Sequence, residues 1–324
     1  MLPSVWLVGQ NATQTAVGLG AALVASVKRV EWGNALKIGI VQIFDGTAGR
    51  GIDHICEFAK QVEQLSFDSL WVPDHVIFFD SYSSKYPHTP DGTIDFKKDQ
   101  GILEPAMCLL AAGQVTTRIR LGTSVEIITE RNPVIRAREM MTLDVATNGR
   151  VEYGVGIGWS EEEYAALGIP FADRGRRADE YIEAMRVLWS DERPSYHGKY
   201  VNFDSVVFEP KPLNRRIPIV IGGNSQAAIS RVVRLGDGWH GWNLPVTELE
   251  VILEDIHTKL KEVSRDRASV KLNVGIPFKG SLQDLKDYAD HCKSLGVDEL
   301  IIAMGFSRTR FQDQLAEVAA VLGL

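Results

Sequence analysis

Beyond residue 36 the chain alternates short apolar runs with longer amphipathic ones. Short apolar, β-branched-rich runs bounded by turn residues read as buried strands, and apolar positions recurring at i, i+3, i+4 and i+7 read as helices. On this basis Lys37–Ile43, Ser69–Val72, Ile119–Ile128, Val151–Ile157, Ile217–Ile221, Asp237–Trp242, Val270–Pro277 and Glu299–Met304 are strands. Helices fall between and after them: Ile52–Leu65, Glu104–Val115, Pro133–Ala146, Arg174–Trp189, Gln226–Leu235, Leu249–Val263, Leu282–Leu295 and Phe311–Leu322. Tyr196 to Phe208 alternates weakly around His197 and Gly198 and predicts a β-hairpin excursion.

Eight strands alternating with helices imply parallel pairing through right-handed crossovers, and eight is the number that closes a TIM barrel. The fold predicted is α/β: one (β/α)8 barrel over 36–324, with insertion loops after strands 2 and 4. An open doubly wound sheet is the weaker alternative, because no Gly-x-Gly-x-x-Gly follows the first strand. Phe78 to Gln100 lacks periodicity and reads as a long loop suited to a lid. Residues 1–35 stand apart. Ala16 to Val27 is apolar and rich in small residues, but no Lys or Arg precedes it and glycines interrupt it. This reads as a loosely attached extension, or residues upstream of the natural start, rather than a signal or a membrane span.

Composition narrows the class. The chain has 324 residues, 45% hydrophobic and 24% charged, with a net charge of −7 and pI near 5.6. That is ordinary for a soluble domain, and the acidic balance leaves no basic stripe for nucleic acid. No membrane partner is expected, and a cytoplasmic location is. Cys56, Cys108 and Cys292 are sparse and odd in number, which suits a reducing compartment. No Cys-x-x-Cys or clustered ligand set points to a metal.

The candidate chemistry gathers at strand ends. Ser69 to Val72 runs into Pro73, Asp74 and His75, and a buried strand has no structural need for a carboxylate and an imidazole at its end. In a parallel barrel the C-terminal strand ends are where catalytic groups sit. His75 can exchange protons near neutral pH. His240, between Trp239 and Trp242, could also face the mouth; the other histidines, His54 and His88 among them, read as surface residues. Gly154, Gly156 and Gly158 with Trp159 close the fourth strand, consistent with either a flat ligand against the backbone or a tight corner. Gly222, Gly223, Asn224 and Ser225 join a strand to a helix, where an anion site or a plain N-cap could form. Thr123, Ser124 and Val125 carry no signal alone.

Together these residues resemble a known family. Leu70 to His75, Arg118 to Val125, Thr142 to Asp144 with Gly149 and Arg150, and Gly154 to Trp159 look like the bacterial luciferase-like superfamily. Ala166 to Phe171 with Arg174 to Arg177, and Ile219 to Gly223 with Gly236 to Trp239, follow the same order. The subgroup it is most similar to is the oxidoreductases that use the deazaflavin coenzyme F420. The resemblance implies a flavin or deazaflavin ring at the barrel mouth, beside Asp74 and the catalytic His75. It implies a cis peptide bond at Ser124–Val125, cofactor contacts from Gly156, Gly158 and Trp159, and a phosphate held by Gly222, Gly223 and Asn224. The family's sugar-phosphate dehydrogenases place a catalytic glutamate where this chain has Trp159. His75 is therefore expected to act without that glutamate, on a small apolar or aromatic substrate. Two alternatives remain: an FMN-dependent monooxygenase fed by a flavin reductase and using O2, and a non-catalytic flavin-binding barrel. A homodimer is expected from the resemblance alone.

Overall fold

The computed structural model describes residues 35–44, 51–94 and 101–324. The expected extension 1–35 lies outside them except for its last residue. Eleven strands are present among the described residues. They are β1 Lys37–Val41, β2 Ser69–Val72, β3 Arg120–Thr123, β4 Glu126–Ile127, β5 Val151–Gly156, β6 Tyr196–His197, β7 Asn202–Phe203, β8 Ile219–Gly222, β9 Gly238–Trp242, β10 Lys271–Pro277 and β11 Glu299–Ala303.

Eight of them form a closed parallel ring in the order β1, β2, β3, β5, β8, β9, β10, β11. Pairing of Leu121 with Val151 joins β3 to β5, and pairing of Lys37 with Glu299 closes β1 on β11. This is the TIM-type barrel the alternation predicts, with β6 and β7 forming the expected hairpin outside it. The predicted third strand is split. β3 ends at Thr123, the Ser124–Val125 peptide bond is cis, and the two-residue β4 resumes pairing with β5. The helices surround the ring, and Ile40, Leu70, Leu121, Val155 and Ile302 belong to the apolar layer packed beneath them.

Inside the ring the filling changes along the axis. Trp71 forms a small apolar cluster with Val41, Val220 and Ile301. The indole fits because β3 has Gly122: a Cβ there would come within 2.2 Å of the ring. Towards the N-terminal ends the interior is charged. Lys271 Nζ lies 3.0 Å from both oxygens of Glu152 and pairs with Glu299, which also accepts from Ser69. Arg120 pairs with Glu152. Burial holds the Lys271 amine down to about 8. This charged plug leaves the C-terminal mouth as the open end.

Candidate functional site

A cavity of about 870 Å3 opens at the C-terminal ends of the barrel strands. Of the residues singled out from sequence, Asp74, His75, Ser124, Val125, Trp159, Gly222, Gly223 and His240 line it. Much of the remaining wall is apolar, with Ile43, Trp242, Phe278 and Phe306 among its members.

Asp74 and His75 leave β2 in different directions. The Asp74 carboxylate is buried and takes a bidentate pair from Arg131, at 2.7 and 2.9 Å, plus a hydrogen bond from the Ile127 N–H. Asp74 thereby ties the end of β2 to the chain after β4. His75 turns the other way, its Nδ1 2.8 Å from Glu163 Oε2. A carboxylate only accepts, so Nδ1 carries the proton, and in the neutral ring the lone pair lies on Nε2. The other Glu163 oxygen accepts from the N–H groups of Val76 and Ile77, at 2.7 and 3.3 Å. The expectation that His75 acts without a glutamate is thus corrected: the position after the strand's glycines is Trp159, but Glu163 supplies a carboxylate from the next turn.

Glu163 is placed by a short helix, Glu161–Ala166, that periodicity could not reveal. Ser160 caps it, accepting from the Glu163 N–H at 3.1 Å, and three glutamates occupy its positive first turn. The same turn grips the chain after β2. Glu162 accepts from the N–H groups of Ser83 (2.5 Å) and Ser84 (3.0 Å). Trp159 meets that segment with aromatic contacts, its ring 5.0 Å from Tyr82, 5.3 Å from Tyr86 and 6.0 Å from His75. His88 follows, and its carbonyl accepts from Asn243 Nδ2. His88 lines the cavity and burial lowers its pKa, so its reading as a surface residue is corrected. His54 is corrected likewise: it is buried against Phe311.

At the floor, Val125 projects where two glycines make room. A Cβ on Gly156 or Gly222 would come within 2.8 or 2.9 Å of the Val125 methyl groups. Gly156 and Gly158 do not line the cavity; Gly158 has φ +66 and faces Ile127 and Tyr164. Asn224 is also off the main cavity. Its amide exchanges two hydrogen bonds with the Trp242 backbone, at 2.8 and 3.1 Å, and it lines an adjoining cavity of about 640 Å3. Ser225 is the N-cap of the helix Gln226–Leu235. His240 stacks between Trp71 and Trp242, with Nε2 3.0 Å from Ser124 Oγ.

Sequence reasoning missed Glu163, Arg131 and Glu130. Both Glu130 carboxyl oxygens are buried without a hydrogen-bond partner. Burial, with the charges of Glu163 and Asp74 beside it, pushes that carboxyl up to about 9. The Ser160-x-x-Glu163 spacing was a visible capping signal, but nothing local shows that Glu163 meets His75.

A parallel barrel with an imidazole in the wall of its C-terminal cavity and a buried carboxylate behind it is the architecture of an enzyme site. Over residues 39–284 the chain matches the luciferase-like monooxygenases, and it belongs to that family. An uncharacterised protein of Mycobacterium tuberculosis is 34% identical over 194 residues, 60% of this chain and 68% of the relative. An FMNH2-dependent dimethylsulfone monooxygenase of Pseudomonas fluorescens is 31% identical over 227 residues, 69% of this chain and 56% of the relative. In fold, the chain is similar to the monooxygenase RslO1 from Streptomyces bottropensis, with TM-score 0.74, 17% identity, and coverage of 89% and 98%. It is likewise similar to an F420-dependent secondary alcohol dehydrogenase solved with an F420–acetone adduct, with TM-score 0.72, 18% identity, and coverage of 89% and 99%.

Proposed function

We propose that the chain is an oxidoreductase that takes the deazaflavin coenzyme F420 at the barrel mouth and acts on a small apolar or aromatic substrate. The observation that carries this reading is His75, backed by the buried Glu163 carboxylate, in the wall of a largely apolar cavity at the strands' C-terminal ends. The cavity suits a flat heteroaromatic ring: Val125 lies on its floor with Gly222 and Gly223, and its walls carry indole and phenyl groups. A bound deazaflavin supplies two-electron chemistry that amino-acid side chains lack.

The chain's own residues do the rest. Val125, Ser124, Gly222 and Gly223 hold the ring, and Trp159 with the Tyr82–Tyr86 segment covers the mouth. His75 holds or receives a proton at Nε2 while Glu163 fixes Nδ1. Asp74 serves indirectly, because its carboxylate is occupied by Arg131. Gly156, Gly158 and Asn224 act through packing and backbone support.

A second reading has its own support: the 31% identity to an FMNH2-dependent monooxygenase. On that reading FMN replaces F420 and a partner reductase delivers the reduced flavin. Purification from a host that makes both cofactors, followed by identification of what co-purifies and titration with each, decides between them. F420 is the expected ligand; tight FMN binding with no F420 binding would sink the leading assignment. A barrel that binds a cofactor but never turns over any substrate would support the non-catalytic alternative.

A further inference from the structure

His240 and Ser124 meet at the cavity floor in an arrangement that constrains where a proton can sit. His240 is 2% exposed and lies between two indoles, its ring centroid 5.6 Å from that of Trp71 and 6.0 Å from that of Trp242, with 27° between planes in both cases. Its Nε2 is 3.0 Å from Ser124 Oγ, while Nδ1 is buried and has no hydrogen-bond partner. Burial, with the Lys271 charge acting in the same direction against Glu299, lowers the ring's pKa to about 4, so it is neutral near pH 7.

A neutral imidazole carries one proton. Placed on Nδ1, it would be a buried N–H with no acceptor, the rarer and more costly kind of orphan. Placed on Nε2, it donates to Ser124 Oγ, and Nδ1 keeps only a lone pair. The serine oxygen then accepts, so its own hydrogen is left over. Ser124 is partly exposed in the cavity wall, and its backbone N–H is already used by the Val72 carbonyl at 2.9 Å. Gly275 makes room for both rings: a Cβ there would come 2.4 Å from the Trp242 ring and 3.1 Å from His240 Nε2.

We infer that His240 is a positioning residue that, as its Nε2–H tautomer, turns the Ser124 hydroxyl into a fixed hydrogen-bond donor facing the cavity. The floor then selects a ligand that places an acceptor there, such as a carbonyl oxygen or unprotonated ring nitrogen of a flat heteroaromatic. The tautomer stands independently of the cofactor; the ligand's identity rests on the function proposed above.

The tautomer is read by long-range 1H–15N correlation on the 15N-labelled protein between pH 6 and 8, with His240 assigned by loss of its signals in His240→Asn. A pyrrole-type Nε2, a pyridine-type Nδ1 and no titration in that range are expected; a proton on Nδ1, or a ring that titrates there, overturns the inference. F420 and FMN titrations then test the donor. Ser124→Ala should weaken binding of the preferred cofactor about tenfold, one lost hydrogen bond. Ser124→Thr, which keeps the hydroxyl, should restore it. His240→Phe should weaken binding to a similar extent, and the double variant Ser124→Ala/His240→Phe should be no worse than Ser124→Ala. Unchanged affinity in Ser124→Ala, or additive losses, overturns the coupling. If the wild type binds neither cofactor, the proposed function fails, while the tautomer measurement still decides this inference.

Discussion

At the scale of single residues, two carboxylates divide the work of holding the proposed site. Asp74 and Glu163 both reach the end of β2, but Asp74 is bound by Arg131 and only Glu163 meets the imidazole. Replacing His75 by Ala should lower kcat by about 10²- to 10⁴-fold, the usual worth of positioned acid–base catalysis, with cofactor affinity little changed. Steady-state kinetics beside a binding titration check this. Glu163→Gln should also lower kcat, because one amide oxygen cannot replace both carboxylate oxygens, which accept from His75 Nδ1 and from the Val76 and Ile77 N–H groups.

Glu130 gives a second prediction at this scale. Its carboxyl is raised to about 9 from an ordinary 4.5. A group whose folded pKa is raised binds its proton more tightly when folded, so folding loses stability as pH climbs from 4.5 towards 9. Glu130→Gln, which mimics the neutral acid, should therefore raise the Tm, and by more at pH 8 than at pH 5; equal shifts at both would refute the assignment. Asp74 and His75 were legible because polar residues broke an apolar run. Glu163 was not, because its partner is 88 positions away and side-chain pairing across that gap leaves no local trace.

Among the elements, the short helix Glu161–Ala166 and the segment it holds matter most. Burial raises the Glu162 pKa, and the N–H groups of Ser84 and Ser83 more than reverse this, bringing the carboxyl down to about 2 from 4.5. The sign is opposite to that of Glu130: the clamp is complete above pH 4.5 and is lost as pH falls towards 2. Amide exchange at Ser83 and Ser84, normalised for its intrinsic pH dependence, should accelerate below pH 4.5 in the wild type. Glu162→Gln should show that faster exchange already at pH 7. Most helices and strands could be read from hydrophobic period, some to the residue, as with Pro133–Ala146 and Gln226–Leu235. The break at Ser124–Val125 was invisible to periodicity, because both residues suit a continuous strand. It entered only through resemblance. The helix Glu161–Ala166 escaped because six residues do not span two turns.

The barrel pairs a charged, closed end with an open, apolar one. Eight strands could be counted in the sequence, and the ring followed from that count. The charges inside it could not be foreseen, since Arg120, Glu152, Lys271 and Glu299 lie at strand starts where alternation alone suggests solvent. Lys271→Met leaves Glu152 and Glu299 buried without their shared cation and should cost about 3–5 kcal/mol, read by denaturant unfolding. Among the described residues no helix is long and apolar enough to cross a membrane.

The central proposal is that the cavity at the open end is a cofactor site. Trp159 and Trp242 line that cavity, so their fluorescence reports on its occupancy. The most direct test is an F420 titration followed by tryptophan emission in the wild type and in Trp159→Phe. Saturable quenching in the wild type, with smaller amplitude in the variant, is the result predicted. No saturable quenching, or an amplitude unchanged by the loss of Trp159, would contradict the claim.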